Sequence, residues 1–216
     1  MPKQALHIAV FCKPLVPGQV KTRLIPAYGA QGAADIYAQL VERTLRTVQA
    51  ARTALDASAS LWIADNVTHP SVLDWADRNA LPVYAQCAGD LGEKMLHTLT
   101  TMTSDHERVL LIGTDCPALT IRDLQAAAVA LTPTCHWVFT PAEDGGYVLA
   151  GSNAPSSEPF VGIAWSTPQV MVQTRAALNA RTLTWAELAT LWDVDEAIDV
   201  ERAQMAGLIA HLAKTH

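Results

Sequence analysis

The stretch K-P-L-V-P-G-Q-V-K-T-R-L, from Lys13 to Leu24, joins an apolar run (Leu6–Cys12) to the strongest helical pattern of the chain (Gly29–Leu55). The apolar run predicts a β-strand, and two prolines and a glycine predict a turning loop after it. No acidic residue precedes Asp35, whereas four basic side chains do. This strand-loop-helix unit favours a phosphate site, because N–H groups, a helix N-terminus and cations can all face one anion. A solvated loop with unrelated lysines is the alternative.

Length and composition indicate one globular domain covering residues 1–216, since the chain is 50% hydrophobic and only 17% charged. No apolar stretch is long enough for a membrane span, and no signal segment precedes the first strand. Four cysteines without a C-x-x-C pair are typical of a reduced cytoplasmic protein. The net charge of −6 argues against a nucleic-acid partner.

Strand-like and helix-like segments alternate along the chain, which favours a parallel sheet covered on both faces. The predicted strands are Leu6–Cys12, Ser60–Ala64, Val83–Gln86, Arg108–Ile112, Trp137–Pro141 and Tyr147–Ala150. The predicted helices are Gly29–Leu55, Ser71–Asn79, Gly92–Met102, Ile121–Leu131, Pro168–Leu178 and Val200–Ala213. A hairpin around Glu143–Gly146 follows from its D-G-G sequence. We therefore predict a three-layer α/β/α fold with a mostly parallel, mixed sheet.

The fourth predicted strand ends in G-T-D-C-P, which places Asp115 at the strand's carboxyl end, where open α/β sheets bind ligands. A carboxylate beside a phosphate loop is suited to Mg²⁺ or Mn²⁺, hard cations that prefer oxygen ligands. An N-cap role is the alternative, although Thr120 is better placed to cap the next helix. Asp115 is therefore the first candidate metal ligand.

A second acidic motif, D-V-D-E-A-I-D, runs from Asp193 to Asp199. Asp195 is a candidate second metal ligand. The same acids are also expected in the first turn of a helix, where they stabilise the N-terminus, so capping is the alternative.

Two further motifs each have a structural and a functional interpretation. In G-D-L-G-E-K-M, Asp90 and Glu93 fit a capping box, while Gly89 and Gly92 could form a second glycine-bearing loop at the ligand edge. In W-S-T-P-Q-V, Ser166 or Thr167 could cap a helix, and Trp165 could form a wall for a sugar or a base.

Together these motifs resemble a family of small bacterial glycosyltransferase-like proteins of the nucleotide-diphospho-sugar transferase superfamily. Related groups are the 2-phospho-lactate guanylyltransferases and the molybdenum-cofactor nucleotidyltransferases. The matching pieces are K-P-L-V-P-G-Q-V-K-T-R-L, G-D-L-G-E-K-M, G-T-D-C-P, E-D-G-G-Y-V-L-A-G, W-S-T-P-Q-V and D-V-D-E-A-I-D. Two positions depart from the family pattern: Lys94 stands where relatives often have Arg, and D-E-A-I-D stands where they tend to have D-T-P-E-D.

The resemblance implies a GT-A-type fold and a set of site residues. Lys21 and Asp115 would be catalytic, and Asp115 and Asp195 would bind Mg²⁺ or Mn²⁺. The nucleotide-binding residues would be Lys13, Gly18, Lys21, Thr22, Arg23, Gly89, Asp90 and Gly92. The substrate pocket would be formed by Asp144, Gly145, Gly146 and Trp165.

Three functions remain open from the sequence. The first is a glycosyltransferase that uses a nucleoside-diphosphate sugar and an unknown small-molecule acceptor. The second is a nucleotidyltransferase of guanylyl or cytidylyl type, which takes a nucleoside triphosphate and releases pyrophosphate. The third is a nucleotide-binding module without turnover. No membrane partner is expected, and the sequence does not specify an oligomeric state.

Overall fold

The chain folds as a seven-stranded mixed sheet with helices on both faces, in a computed structural model that describes residues 3–214. The strands are β1 (His7–Cys12), β2 (Ser58–Ile63), β3 (Val83–Ala85), β4 (Val109–Ile112), β5 (Trp137–Pro141), β6 (Tyr147–Ser152) and β7 (Trp185–Glu187). The helices are α1 (Ile25–Leu55), α2 (Pro70–Asn79), α3 (Leu91–Thr103), α4 (Ile121–Ala130), α5 (Val170–Ala180) and α6 (Ala197–Met205). The predicted fold class is confirmed.

The strand order is β3-β2-β1-β4-β6-β5-β7. β1 pairs in parallel with both β2 and β4, whereas β6 is antiparallel to β4 and β5. The β5–β6 pair is the hairpin that the D-G-G sequence predicted. The chain builds outward from β1 to β3 and then returns to the other side of β1 with β4. Such a reversal opens a crevice at the carboxyl ends of the two central strands, where α/β sheets bind ligands.

Side chains of each strand alternate between two apolar layers. Ile8 and Val10 of β1 pack with α1, α2 and α4 on one face of the sheet. Ala9 points to the other face, where α3 and α5 pack with Trp137 and Phe139. The two faces therefore carry different helices, and this separation also divides the walls of the crevice.

The largest differences from the predicted elements are at the first helix, at the last helix and at β7. The first helix already starts at Ile25, and Gly29, predicted as its start, is a non-helical kink with φ +67°. The last helix starts at Ala197, and a left-handed Gly207 soon follows its end at Met205, so the predicted extension to position 213 does not form. β7 was not predicted. Across residues 3–214, no helix has both the length and the apolar character needed to span a bilayer.

At the amino end of β1, opposite the crevice, His7 is buried between two serines. Its Nδ1 lies 2.7 Å from Ser58 Oγ and its Nε2 lies 2.7 Å from Ser60 Oγ. Burial, and then the neighbouring His106, lower the pKa of His7 from its usual 6.5 to about 3. The neutral imidazole is therefore the form that fits the fold.

Candidate active site

A cavity of about 740 Å³ lies at the carboxyl ends of β1 and β4. Its walls come from the loop Lys13–Leu24, which we call the basic loop, from the segment after β4, from the start of α3 and from the acidic motif before α6. The sequence-predicted residues that line it are Lys13, Lys21, Thr22, Arg23, Asp115 and Asp195.

Lys21 is the centre of a charged cluster. Its Nζ lies 3.0 Å from Asp115 Oδ2 and 3.4 Å from Asp195 Oδ1, and it donates a hydrogen bond to the Val194 carbonyl at 2.5 Å. The Lys21 side chain is only 5% exposed. The structure thus brings the predicted phosphate-binding lysine and both predicted metal ligands to one point.

The backbone of Lys21 is left-handed, with φ +46°. Such a conformation is unfavourable for a side chain other than glycine, and it persists only where surrounding contacts impose it. The Lys21 ammonium contacts Asp115, Asp195 and the Val194 carbonyl. The strained backbone aims Lys21 into the cavity.

Asp115 combines an ion-paired oxygen with an unpaired one. Its Oδ1 is buried and has no hydrogen-bond partner among residues 3–214, while Oδ2 contacts Lys21. A buried acceptor without a donor is unfavourable, and a hard divalent cation would satisfy it. Within the described chain no three His, Cys, Asp or Glu residues group together as a metal site, and the carboxylates that line the cavity are Asp115, Asp193 and Asp195. Mg²⁺ commonly binds through one or two carboxylates plus substrate phosphates, and this donor set fits it.

Asp195 faces the basic loop because its neighbour Asp199 takes over the capping of α6. Asp199 Oδ2 accepts hydrogen bonds from the N–H groups of Asp195 (3.0 Å) and Glu196 (2.8 Å). Asp195 Oδ2 instead pairs with Arg23 Nη1 at 2.6 Å. The capping interpretation of the acidic motif therefore holds for Asp199, while Asp195 faces the basic loop and stays a predicted metal ligand.

Asp193 also lines the cavity, although the sequence analysis assigned it no role. Burial, and then the negative charge of Asp144, raise the pKa of Asp193 to about 6. Val194 between the two acids is fully buried. The alternation of acid, buried valine and acid was visible in the sequence and indicates that Asp193 and Asp195 share one side of an extended segment.

Lys13 lies on the wall where β1 ends. Its backbone N–H donates to the Tyr37 hydroxyl at 2.8 Å, and that hydroxyl donates to the Lys13 carbonyl at 3.2 Å. Burial raises the pKa of Tyr37, so the hydroxyl stays protonated and fixes the loop's first residue. Gly18, by contrast, sits in a turn of the loop with φ +85° and does not line the cavity.

The predicted second glycine loop caps the N-terminus of α3. Asp90 accepts a hydrogen bond from the Glu93 N–H (2.9 Å), and Glu93 accepts one from the Asp90 N–H (2.8 Å), which is the predicted capping box. A Cβ on Gly92 would come within 2.8 Å of the Trp165 ring. Gly89, Asp90 and Gly92 do not line the cavity.

The predicted substrate-pocket residues lie behind the cavity wall and support it. Asp144 Oδ1 accepts a hydrogen bond from the Gly146 N–H at 2.8 Å. Gly145 has φ +91°, and a Cβ there would lie 2.2 Å from the Pro168 carbonyl oxygen. The hairpin turn therefore packs directly on the loop before α5. Neither the turn nor Trp165 lines the cavity.

Two cysteines, Cys12 and Cys116, line the cavity as free, buried thiols. Burial raises the pKa of each to about 12. Because a thiol must deprotonate to ligate a metal, these side chains act as small apolar groups at neutral pH.

Comparison with solved structures finds a protein from Desulfovibrio desulfuricans G20, provisionally described as a nucleotide-diphospho-sugar transferase, at 28% identity and a TM-score of 0.80. The match covers 89% of this chain and 83% of that one. The chain also resembles a CMP:2-keto-3-deoxy-manno-octonic acid synthetase complexed with CTP (12% identity, TM-score 0.56, 94% and 99% covered). A glucosyl-3-phosphoglycerate synthase from Mycobacterium tuberculosis, complexed with Mn²⁺, UDP and glucosyl-3-phosphoglycerate, aligns at 9% identity and a TM-score of 0.50, with 95% and 77% covered. The last two likenesses concern the fold alone.

A comparison with curated protein sequences finds no match. A family model described as "Uncharacterized protein conserved in bacteria (DUF2064)" matches residues 47–167, more than half of the chain. This segment includes Asp115 and the start of α3, and so covers the central part of the cavity. The chain therefore belongs to the DUF2064 family.

Proposed function

We propose that this protein is a divalent-metal-dependent transferase that acts on a nucleotide-activated substrate, with a nucleoside-diphosphate sugar as the donor. The observation that carries the proposal is the cluster in which Lys21 contacts both Asp115 and Asp195. Its members come from positions 21, 115 and 195, which supports treating residues 1–216 as one functional domain. The provisional description of the Desulfovibrio protein agrees with the proposed class.

In this proposal the cluster changes partners when substrate binds. Without ligand, Lys21 and Arg23 are neutralised by the two carboxylates. Donor phosphates would take over Lys21 and Arg23, and the released Asp115 and Asp195 would hold Mg²⁺ or Mn²⁺. The bound metal would stabilise the negative charge that develops on the leaving diphosphate.

The residues of this chain then have distinct roles. Lys21, enclosed and nearly desolvated, would hold the diphosphate through a point charge. Arg23, which is more exposed, would offer a planar, bidentate contact to a second phosphate oxygen. Positioning of this kind, with electrostatic stabilisation of the leaving group, is the main contribution a protein makes to such transfers.

A nucleotidyltransferase is the second candidate, and the number of cations at the cavity favours it. Besides Lys21 and Arg23, the wall carries Lys13. This excess suits a triphosphate. A phosphate of the second substrate would attack the α-phosphorus, and pyrophosphate would leave with Lys21 and Arg23 stabilising its charge.

Product analysis distinguishes the candidates. The protein is incubated with nucleoside-diphosphate sugars and nucleoside triphosphates, together with mixed phosphorylated and hydroxylated acceptors, in Mg²⁺, Mn²⁺ or chelator. Metal-dependent release of a nucleoside diphosphate supports glycosyl transfer, and pyrophosphate release supports nucleotidyl transfer. In either case Asp115→Asn and Lys21→Met should abolish turnover. Metal-dependent binding without any product would favour the module that only binds nucleotide, and absence of nucleotide binding would refute the proposal.

A further inference from the structure

The sheet divides the cavity into two walls. The basic loop leads into α1, which packs on one face of the sheet with α2 and α4. The opposite face carries α3 and α5. Lys94 of α3 and Ser166 of the loop before α5 both line the cavity from this second side. They therefore lie across the sheet edge from Lys21 and Arg23.

Lys94 is a cation without a counter-charge. It is half-buried and lines the cavity together with Met95 and with Leu91, which lies one helical turn before it. Within residues 3–214 no carboxylate lies within ion-pair distance of Lys94, whereas Lys21 and Arg23 are both paired. A half-buried ammonium that faces a cavity and has no carboxylate partner can pair with an anion from outside the chain.

Ser166 is held on the same wall in a strained backbone conformation. Its φ is +61°, a left-handed value that residues other than glycine rarely adopt. Residues on both sides of it are closely packed, because the Trp165 ring lies against Gly92 and Pro168 lies against Gly145. The Ser166 side chain is exposed and has no hydrogen-bond partner in the described part of the chain. Strain maintained by such packing is characteristic of functional positions.

We propose that Lys94 and Ser166 form a second anion subsite, which binds a phosphate or carboxylate of the second substrate. A free ammonium supplies charge, and a free hydroxyl supplies a directed hydrogen bond. A transferase must hold two substrates at once, and the first wall is occupied by the donor phosphates in the function proposed above. The role as acceptor site rests on that proposed function; the capacity to bind an anion rests on this wall alone.

The test measures two kinds of ligand separately. Ligand-observed NMR gives the affinity for glycerol 3-phosphate and for lactate, with glycerol as the neutral control, for the protein alone and with nucleotide. Calorimetry gives the affinity for CTP with Mg²⁺ and for UDP with Mn²⁺. The variants are Lys94→Met, Lys94→Arg and Ser166→Gly, which removes the hydroxyl without adding strain. Arg122→Met, which changes an exposed cation outside the cavity, is the charge-matched control.

At least one anionic probe should bind the wild type, and glycerol should not. Lys94→Met should weaken that probe at least tenfold, Ser166→Gly at least threefold, and Lys94→Arg and Arg122→Met less than threefold. Nucleotide affinity should stay within twofold in all four. Thermal unfolding confirms that each variant is folded.

Three results would overturn the subsite. The first is that the wild type binds neither anion, and the second is that Lys94→Met binds the anions with unchanged affinity. The third is that Lys94→Met loses nucleotide affinity in parallel, which would place Lys94 on the donor phosphates. Failure of the proposed function looks different. If the proposed function is wrong and the subsite is real, neither the wild type nor any variant binds CTP or UDP, while Lys94→Met still loses affinity for the anionic probe.

Discussion

Replacing Asp195 with asparagine should strengthen nucleotide binding in the absence of metal and reduce the benefit of adding metal. Asp195 pairs with both Lys21 and Arg23, the cations that would bind the phosphates in the proposed function. Asparagine keeps the shape of the side chain and removes its charge. The cations are then partly released before nucleotide arrives.

The size of the effect follows from exposure. The Arg23–Asp195 pair is 64% and 43% exposed, which places it with surface pairs worth about 0.2–1 kcal/mol. The contact with Lys21 is longer, at 3.4 Å, but that lysine is 5% exposed and its charge is less screened. Together these contacts predict a gain of about 1–2 kcal/mol for metal-free nucleotide, which is about a 5- to 30-fold higher affinity.

Calorimetric titration with a nucleoside triphosphate and a nucleoside-diphosphate sugar, each with chelator and with Mg²⁺, measures this coupling. The quantity of interest is the dissociation constant with chelator divided by the dissociation constant with Mg²⁺. This ratio should fall in Asp195→Asn, because the metal-free affinity rises and because a proposed metal ligand is lost. Asp74→Asn is the matched control, because it makes the same change of net charge at a surface pair with Arg78 on α2.

An unchanged or weaker metal-free affinity in Asp195→Asn would refute the reasoning. It would mean that Asp195 does not compete with phosphates for Lys21 and Arg23. An equal rise in the Asp74→Asn control would assign the effect to overall charge and not to the cluster.

Two further predictions concern the scaffold. Because the pKa of His7 is lowered to about 3 in the fold and is 6.5 when unperturbed, its contribution to stability is complete above pH 6.5 and is lost as the pH falls toward 3. In urea unfolding, the contribution of His7 should make the free energy of unfolding about 2 kcal/mol lower at pH 5 than at pH 7. His7→Gln should remove this part of the pH dependence. Gly145→Ala places a Cβ against the Pro168 carbonyl and should destabilise the fold by more than about 2 kcal/mol. Gly146→Ala, whose Cβ would meet only the end of a flexible side chain at 3.2 Å, should destabilise it less, and equal melting temperatures would contradict the packing argument.

The elements that the sequence predicted well are those that one segment can specify. Leu6–Cys12 and Trp137–Pro141 are apolar runs, and a run buried on both faces is recognisable without knowing its neighbours. β7 has only three residues, none fully buried, and exists because Trp185–Glu187 pairs with β5. Such a strand is fixed by its partner and leaves no pattern of its own.

The candidate site divides in the same way. Lys21 and Asp115 follow strands that were predicted, so their convergence at one sheet edge could be anticipated. The support functions of Gly92 and Gly145 could not, because each depends on a close approach by a segment far away in the chain. Asp193 was within reach of the sequence, since it alternates with a buried valine.

The glycine contacts at Gly92 and Gly145 have a consequence for how substrate preference can diverge within this family. They join three remote segments into one framework that leaves little room for change, since any larger residue collides at 2.8 Å or less. Positions 94 and 166, the two residues of the proposed anion subsite, are mounted on that framework. If the subsite is real, substitutions at these two positions would change the chemistry of one wall while the glycine contacts keep the framework in place.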